Sequence, residues 1–337
     1  MTADDLTLRK VSCQGDAAPD APASLHASYA PRSESAAGVL AAIEFGAEGG
    51  PSVPAPLAIK VRLEPLTAPG LVEYWRAAGP VTTGRSGAIR FAHDGCSLFA
   101  VVELDEREFG GIRATSEHAY RLIREFQQTS PFPHLLRMWN FMDAVNEGHG
   151  DAERYRQFCI GRAHGLGEAS GARYPAATAI GHQVTTHTLQ VFWIAGRESG
   201  TAVENPRQIS AYRYPRTHGP VSPTFSRATV TNDGTLFISG TASIVGHLSQ
   251  HPGDSLAQLE ETLRNLRAVI ERAREQHEIA GDAPMLLKVY VRDPAHADAI
   301  ESRLREARPD DRIVVLAADI CRRELLLEIE SVLQPTA

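Results

Sequence analysis

No run of apolar residues in this chain reaches membrane-spanning length, so no transmembrane helix is expected. No block of Lys and Arg interrupts it, and the net charge of −7 with a pI near 6.0 argues against a nucleic-acid partner. Cysteine is scarce. Cys13, Cys96, Cys159 and Cys321 lie far apart, with no CxxC and no Cys/His metal spacing, which predicts reduced thiols rather than a disulfide framework. The opening MTADDLTLRK lacks the apolar core of a signal peptide, so a cytoplasmic location is expected, with neither membrane nor nucleic acid as partner. There is no P-loop and no GxGxxG following a strand, so no nucleotide cofactor is expected. What remains is ordinary globular composition, 43% hydrophobic and 22% charged over 337 residues, enough for two packed domains.

Residues 14–55 are rich in Ala, Pro, Ser and Gly and read as an irregular lead-in, with at most one short strand near VLAAIEF, 39–45. AIKVRL (58–63) alternates as a strand does, and 87–95 with 97–106 reads as a hairpin turning at Asp94-Gly95. Helical spacing follows in 116–128, with Ala119, Leu122, Ile123 and Phe126 on one face, and in 151–168, with Tyr155, Phe158 and Arg162 in one stripe. Strands are predicted at 189–196, 235–246, 285–293, 312–319 and 325–333. The helix at 254–275 carries Leu256, Leu259, Leu263, Leu266 and Ile270 at alternating spacings of three and four. Ser255 and Gln258 fit a capping box for it, and 295–307 reads as a further helix. Residues 226–334 thus form one β-α-β-α-β-β unit, and roughly 56–200 holds similar ingredients in similar order, which suggests a degenerate duplication. The expected division is lead-in 1–55, N-terminal domain 56–205 and C-terminal domain 206–337.

The polar residues leave several readings open. In LLLEIESVL (325–333), Glu328 and Glu330 project to the face opposite Leu327 and Ile329. The plain reading is an edge strand with a wet outer face. The alternative is a buried carboxyl of raised pKa, available as a general acid. Glu330, taken to lie nearer the strand's end, is expected to matter less. Arg162, Arg227, Arg213 and Arg216, with Tyr214, suit a small polyanion, because guanidinium forks hold carboxylates; solvated surface arginines are the competing reading. Trp139 and Asn140 read as core. Lys288, Tyr290 and Arg292 share a strand face that reads as the outer face of a sheet. His247 and His251 have metal-pair spacing only on a helix, and their Pro-Gly context reads as loop. Cys321 is either a nucleophile or a buried small hydrophobe.

The stretch from FISGTASIVG through KVYVRD to LLLEIES resembles one Rid (YjgF-like) unit. A longer pattern is similar to the chorismatases: RMWNFMDAVN, YRQFCIGRA, YPAATAIG, ENPRQISAYRYPRTHGPVSPTFSRAT, LFISGTASIVGH and DICRRELLLEIE. The resemblance implies an α+β fold of two Rid/YjgF-like (chorismate mutase-like) units, the N-terminal one degenerate. It also implies an enzyme that releases pyruvate from chorismate without a cofactor or metal. It carries the catalytic acid onto Glu328, the carboxylate holders onto Arg162 and Arg227, and a hydrogen-bonding partner onto Tyr214. Gly240 and Cys321 match the family members that form 3-hydroxybenzoate, with or without 4-hydroxybenzoate; members that hydrolyse chorismate to a dihydrodiol carry Ala at both. Gly240 is expected to leave room for the ring and Cys321 to move a proton. For both Cys321 and Glu328 to face one pocket, Arg322-Arg323-Glu324 must turn. Rid proteins commonly form trimers, so a homotrimer is expected, or a monomer whose halves imitate part of one. The rival readings are a Rid-type imine deaminase using Arg312 and a non-enzymatic small-anion binder.

Overall fold

The computed structural model describes residues 25–335 except 36, 47–48, 78, 168–173 and 280–282. Strands β1 (His26–Pro31), β2 (Val39–Phe45), β3 (Leu57–Val61) and β4 (Leu71–Arg76) form a four-stranded sheet in the order β1-β4-β2-β3. Two of them lie in the stretch expected to be an irregular lead-in. The strand expected at 39–45 is present, and the Pro-rich segment before it also pairs, at the sheet edge where a missing N–H is tolerated.

The next unit runs β5 (Thr82–Ser86), β6 (Ile89–His93), β7 (Ser97–Asp105), α1 (Glu106–Phe109), α2 (Ile112–Thr129), β8 (His134–Asp143), α3 (Arg154–Leu166), β9 (Ala176–His182) and β10 (Thr188–Gly196). The third runs β11 (Thr201–Val203), β12 (Ala228–Val230), β13 (Leu236–Thr241), a small hairpin β14–β15 (Ile244–Val245, Leu248–Ser249), α4 (Ser255–Gln276), β16 (Leu286–Val291), α5 (Ala297–Ala307), β17 (Arg312–Ala317) and β18 (Leu327–Leu333). The sheet orders are β5-β6-β7-β10-β8-β9 and β11-β12-β13-β18-β16-β17, the same topology twice. In each, a helix crosses over between a parallel pair, β8–β9 or β16–β17, as parallel neighbours require. The last strand then returns antiparallel to the sheet centre. The chain is therefore α+β with two copies of the expected unit.

Each six-stranded sheet has one face covered by its helices. Met138, Val191 and Trp193 pack under α2 and α3, and Leu287, Val289 and Ile329 under α4 and α5. The opposite faces of all three sheets meet in one core that includes Trp75, Phe99, Trp139, Phe192, Phe237 and Tyr290. Such a core removes more apolar area from water than either unit could alone. Two details of α4 differ from expectation. Asp254, not Ser255, is the N-cap, accepting from the Ala257 amide at 2.9 Å, and Leu256 is exposed. Gln258 is freed from capping and fully buried. Among the described residues no helix is long and apolar enough to cross a membrane.

Candidate active site

Strand β9, at the edge of the second sheet, is stitched to the third sheet by side chains. The Ala176 and Ala177 amides donate to Thr229 Oγ1 and Ser239 Oγ, both at 2.8 Å, and the Gly240 amide donates to Thr178 Oγ1 at 3.0 Å. At this seam lies a cavity of about 190 Å³. Arg162, Tyr214, Arg227, Gly240, Cys321 and Glu328 all line it, so the structure brings together the six residues that the resemblance singles out.

Glu328 does not lie on an edge strand. β18 pairs with β13 on one side and β16 on the other, and Glu328 sits opposite Tyr290 with 5% of its surface exposed. Burial, reinforced by the Glu330 carboxylate, pushes its pKa up to about 8 against the pull of Arg137, Arg227 and Arg322. Glu330 has the opposite fate. It lies mid-strand, its carboxylate taking hydrogen bonds from Lys288 Nζ at 2.9 Å, Trp139 Nε1 at 2.7 Å and Arg137 Nη2 at 2.7 Å. Burial alone would raise it, but Lys288 and Arg137 hold it at about 2. Two carboxyls on one strand face are thus split into a neutral acid and a fixed anion. Such a division is how one site assigns acid and base roles.

Lys288 and Tyr290 are not on an outer face. Both are buried against the other two sheets, and Lys288 also contacts Glu73 Oε2 at 2.6 Å. Trp139 and Asn140 are core residues as expected; the Asn140 side-chain amide donates to the Thr178 carbonyl at 2.9 Å.

Helix α3 delivers Arg162 to the cavity, 3% exposed, with Tyr120 against its guanidinium. Its Nε and Nη2, which point to the same side, have no protein partner. An unused buried fork of this kind fits a carboxylate bidentately. Arg227 donates through Nη2 to Tyr214 Oη at 2.7 Å and to the Ile209 carbonyl at 3.0 Å, while its Nε is free. The Tyr214 ring lies between the guanidinium groups of Arg227 and Arg322, at 5.6 and 5.3 Å. Arg213 and Arg216 stay outside the cavity. Arg216 makes an exposed ion pair with Asp151, and Arg213 stacks on Tyr212.

A turn closed by the Leu325 amide on the Arg322 carbonyl at 3.1 Å lets Cys321 and Glu328 face one space. A half-buried guanidinium and a fully buried amide clamp it. Arg292 donates to the carbonyls of Ile320, Arg322 and Leu325, and Gln258 accepts from the Leu326 amide and donates to the Glu324 carbonyl. Burial, and then the neighbouring Glu328, push the Cys321 thiol far up, so it is neutral. Gly240 sits where β13 carries one residue too many for β18, since Ile238 faces Ser331 but Thr241 faces Ile329. A Cβ at Gly240 would lie 1.8 Å from Glu328 Oε1, so glycine here clears the space that the Glu328 carboxyl itself occupies. That differs from the expectation that it only leaves room for a ring.

Residue-type reasoning missed Arg322, Tyr155 and Thr178, which also line the cavity, and Arg137 behind it. Arg322 was within reach, adjacent to Cys321 in DICRRE. Arg137 was not, because nothing local places β8 across from β18. His247 lies 3.0 Å from His218, which lines the cavity, and is not paired with His251. Arg312 is at the exposed start of β17, outside the cavity.

The cavity thus holds a buried carboxyl of raised pKa together with guanidinium groups, of which Arg162 presents Nε and Nη2 without a protein partner. Residues 73–195 match the family model described as "Chorismatase FkbO/Hyg5-like, N-terminal". A 3-hydroxybenzoate synthase of Streptomyces hygroscopicus is 34% identical over 81% of this chain and 84% of its own. A chorismatase of Streptomyces rapamycinicus is 37% identical over 77% and 81%. A crystal structure of a chorismatase superposes with a TM-score of 0.81 at 31% identity, covering 92% of this chain and 98% of that one. The chain belongs to the chorismatase family.

Proposed function

We propose that the protein converts chorismate to 3-hydroxybenzoate and pyruvate. The observation that carries this is a buried carboxyl poised near pH 8 in the same cavity as an unoccupied arginine fork. Chorismate is a dianion with an enolpyruvyl ether, and its cleavage begins with protonation of the terminal methylene carbon. Carbon is a poor base, so the donor must be a protonated, positioned acid in a dry site. Glu328 fills that role. Arg162 takes one substrate carboxylate on its Nε–Nη2 edge, and Arg227 with Tyr214 holds the other. Their neutralisation by substrate removes part of the pull toward ionised Glu328.

Proton transfer leaves Glu328 as a carboxylate beside the Cys321 thiol. Attack of the ring hydroxyl, loss of pyruvate and opening of the resulting oxide then require one ring proton to leave. Cys321, a neutral thiol, relays that proton to the Glu328 carboxylate, which restores the acid. The two products together contain the atoms of chorismate and no added water, whereas the dihydrodiol route adds one. The relative named a 3-hydroxybenzoate synthase supports the aromatic route.

The test is to mix the purified protein with chorismate and separate the products. Equal amounts of pyruvate and 3-hydroxybenzoate are expected, and the share of 4-hydroxybenzoate is read in the same run. Dihydrodiol alone would move the assignment to the hydrolytic type. Absence of pyruvate would leave an anion binder. The imine deaminase reading has no support at this site, since Arg312 is outside it.

A further inference from the structure

Behind the cavity lies a cluster of charges that does not line it. Glu330 is bonded to Lys288 and Arg137, and Lys288 reaches on to Glu73, whose other oxygen accepts from Trp75 Nε1 at 2.9 Å. All four charged side chains are buried. They come from all three sheets: Glu73 from β4, Arg137 from β8, Lys288 from β16 and Glu330 from β18. Two carboxylates and two cations cancel. The set is neutral without Glu328, which lies two residues from Glu330 on the same strand face, so ionising Glu328 would add a buried charge that the four together do not balance, Arg137 pulling one way and Glu330 pushing the other. Lys288 is one of only three lysines in the chain, with Lys10 and Lys60. A compact ammonium fits between two carboxylates, at 2.6 and 2.9 Å, where a planar guanidinium would need a fork.

The groups that face Glu328 come from every side. They are Glu330 on its own strand, Arg137 on β8, Tyr290 on β16, Arg227, Tyr155 on α3, and Cys321 and Arg322 in the turn. Glu330 is the one fixed anion among them. Lys288 faces Glu330, not Glu328, in the β16–β18 register.

We propose that Glu330 is a positioning residue for catalysis, a buried anion locked in place by Lys288, Arg137 and Glu73 whose charge keeps Glu328 in its proton-donating form. This rests on Glu328 being the acid, and its test is read on the carboxyl itself rather than on turnover. The infrared carbonyl band that disappears in Glu328→Gln marks the protonated Glu328 side chain. Its titration is followed in the wild type, Glu330→Gln and Glu330→Asp. Removing the anion should lower the midpoint by about one pH unit or more, as expected for loss of a like charge sharing the site. Asp, which keeps the charge, should hold it near the wild-type value. The alkaline limb of kcat/KM should move in parallel. If Glu330→Gln fails to fold, the double variant Glu330→Gln/Lys288→Gln removes one charge of each sign and carries the same expectation. An unchanged midpoint in whichever variant folds, or no band in the wild type that Glu328→Gln removes, overturns the proposal. Full turnover by Glu328→Gln with a shifted midpoint in Glu330→Gln would instead overturn the assignment of the acid and leave the electrostatic link standing.

Discussion

Glu328 shows how far a single residue can be read. Its place in an apolar run announced either a wet edge or a buried acid, and the two differ only in whether β18 has a partner on both sides. Strand order is a long-range property that the run itself does not encode, and Lys288 and Tyr290 were assigned to an outer face for the same reason. The arginines were only partly legible: Arg213 and Arg216, in the loop rich in Tyr and His, lie outside the cavity, while Arg162 and Arg227, picked out by the resemblance, line it. Replacing the acid has two expected consequences of opposite sign. Glu328→Gln should bind chorismate and lose pyruvate release by about 10²–10⁴-fold, the usual loss for a general acid. It should also gain stability at high pH. With the folded pKa near 8 against an ordinary 4.5, the folded wild type keeps a proton that the unfolded chain has released between those values. Wild-type stability therefore falls as pH rises through that window, and Gln escapes a cost on the order of a few kcal/mol. Urea unfolding near pH 9 and near pH 4 checks this: the variant should be the more stable at the first and level with the wild type at the second.

At the scale of elements, the Glu328 carboxyl and its surroundings are placed by one bulge and one turn. The bulge puts Gly240 against the Glu328 carboxyl, so Gly240→Ala must push the acid aside as well as reshape the cavity. Pyruvate release should fall several-fold in Gly240→Ala. Cys321→Ala should leave pyruvate release largely intact and shift the co-product away from 3-hydroxybenzoate toward the dihydrodiol. Product analysis of the two single variants separates these effects. If Gly240→Ala kept wild-type pyruvate release, the glycine would matter to the ring alone. The turn depends on Gln258, whose side chain is the partner of the Leu326 amide and the Glu324 carbonyl. Gln258→Leu orphans both and should cost about 1–3 kcal/mol in denaturant unfolding. The helices and most strands were legible because their periodicities are local. Strands β1, β4, β5, β8, β9, β11, β12 and β15 were not assigned: most are short or made of small residues, β8 lacks any alternation because it is buried on both faces, and all have pairing partners that the local sequence does not show. The N-cap was misplaced by one residue because Asp254 and Ser255 are both good caps.

At the scale of the whole molecule, the duplication was legible as element order but not as sequence. Topology survives as long as the apolar faces survive, while the identities that fill them drift. The first, four-stranded sheet was missed because the Ala- and Pro-rich lead-in conceals two of its strands. It also changes the expected assembly. A Rid-like unit presents the uncovered face of its sheet to neighbours, which is why trimers were expected. Here that face of the C-terminal unit, with Phe237, Lys288 and Tyr290, is already covered by Trp139 from the second sheet and Trp75 from the first. The Glu73–Lys288–Glu330–Arg137 contacts tie the same three walls together through buried charges, which are costly to leave unpaired. A trimer of the usual kind would have to pull these walls apart and expose both the aromatic core and the ion cluster. We therefore expect a monomer, with the three walls of one chain standing where three subunits would. Sedimentation equilibrium of the full chain should give the mass of a single chain across a wide concentration range, and a stable three-chain mass would refute this.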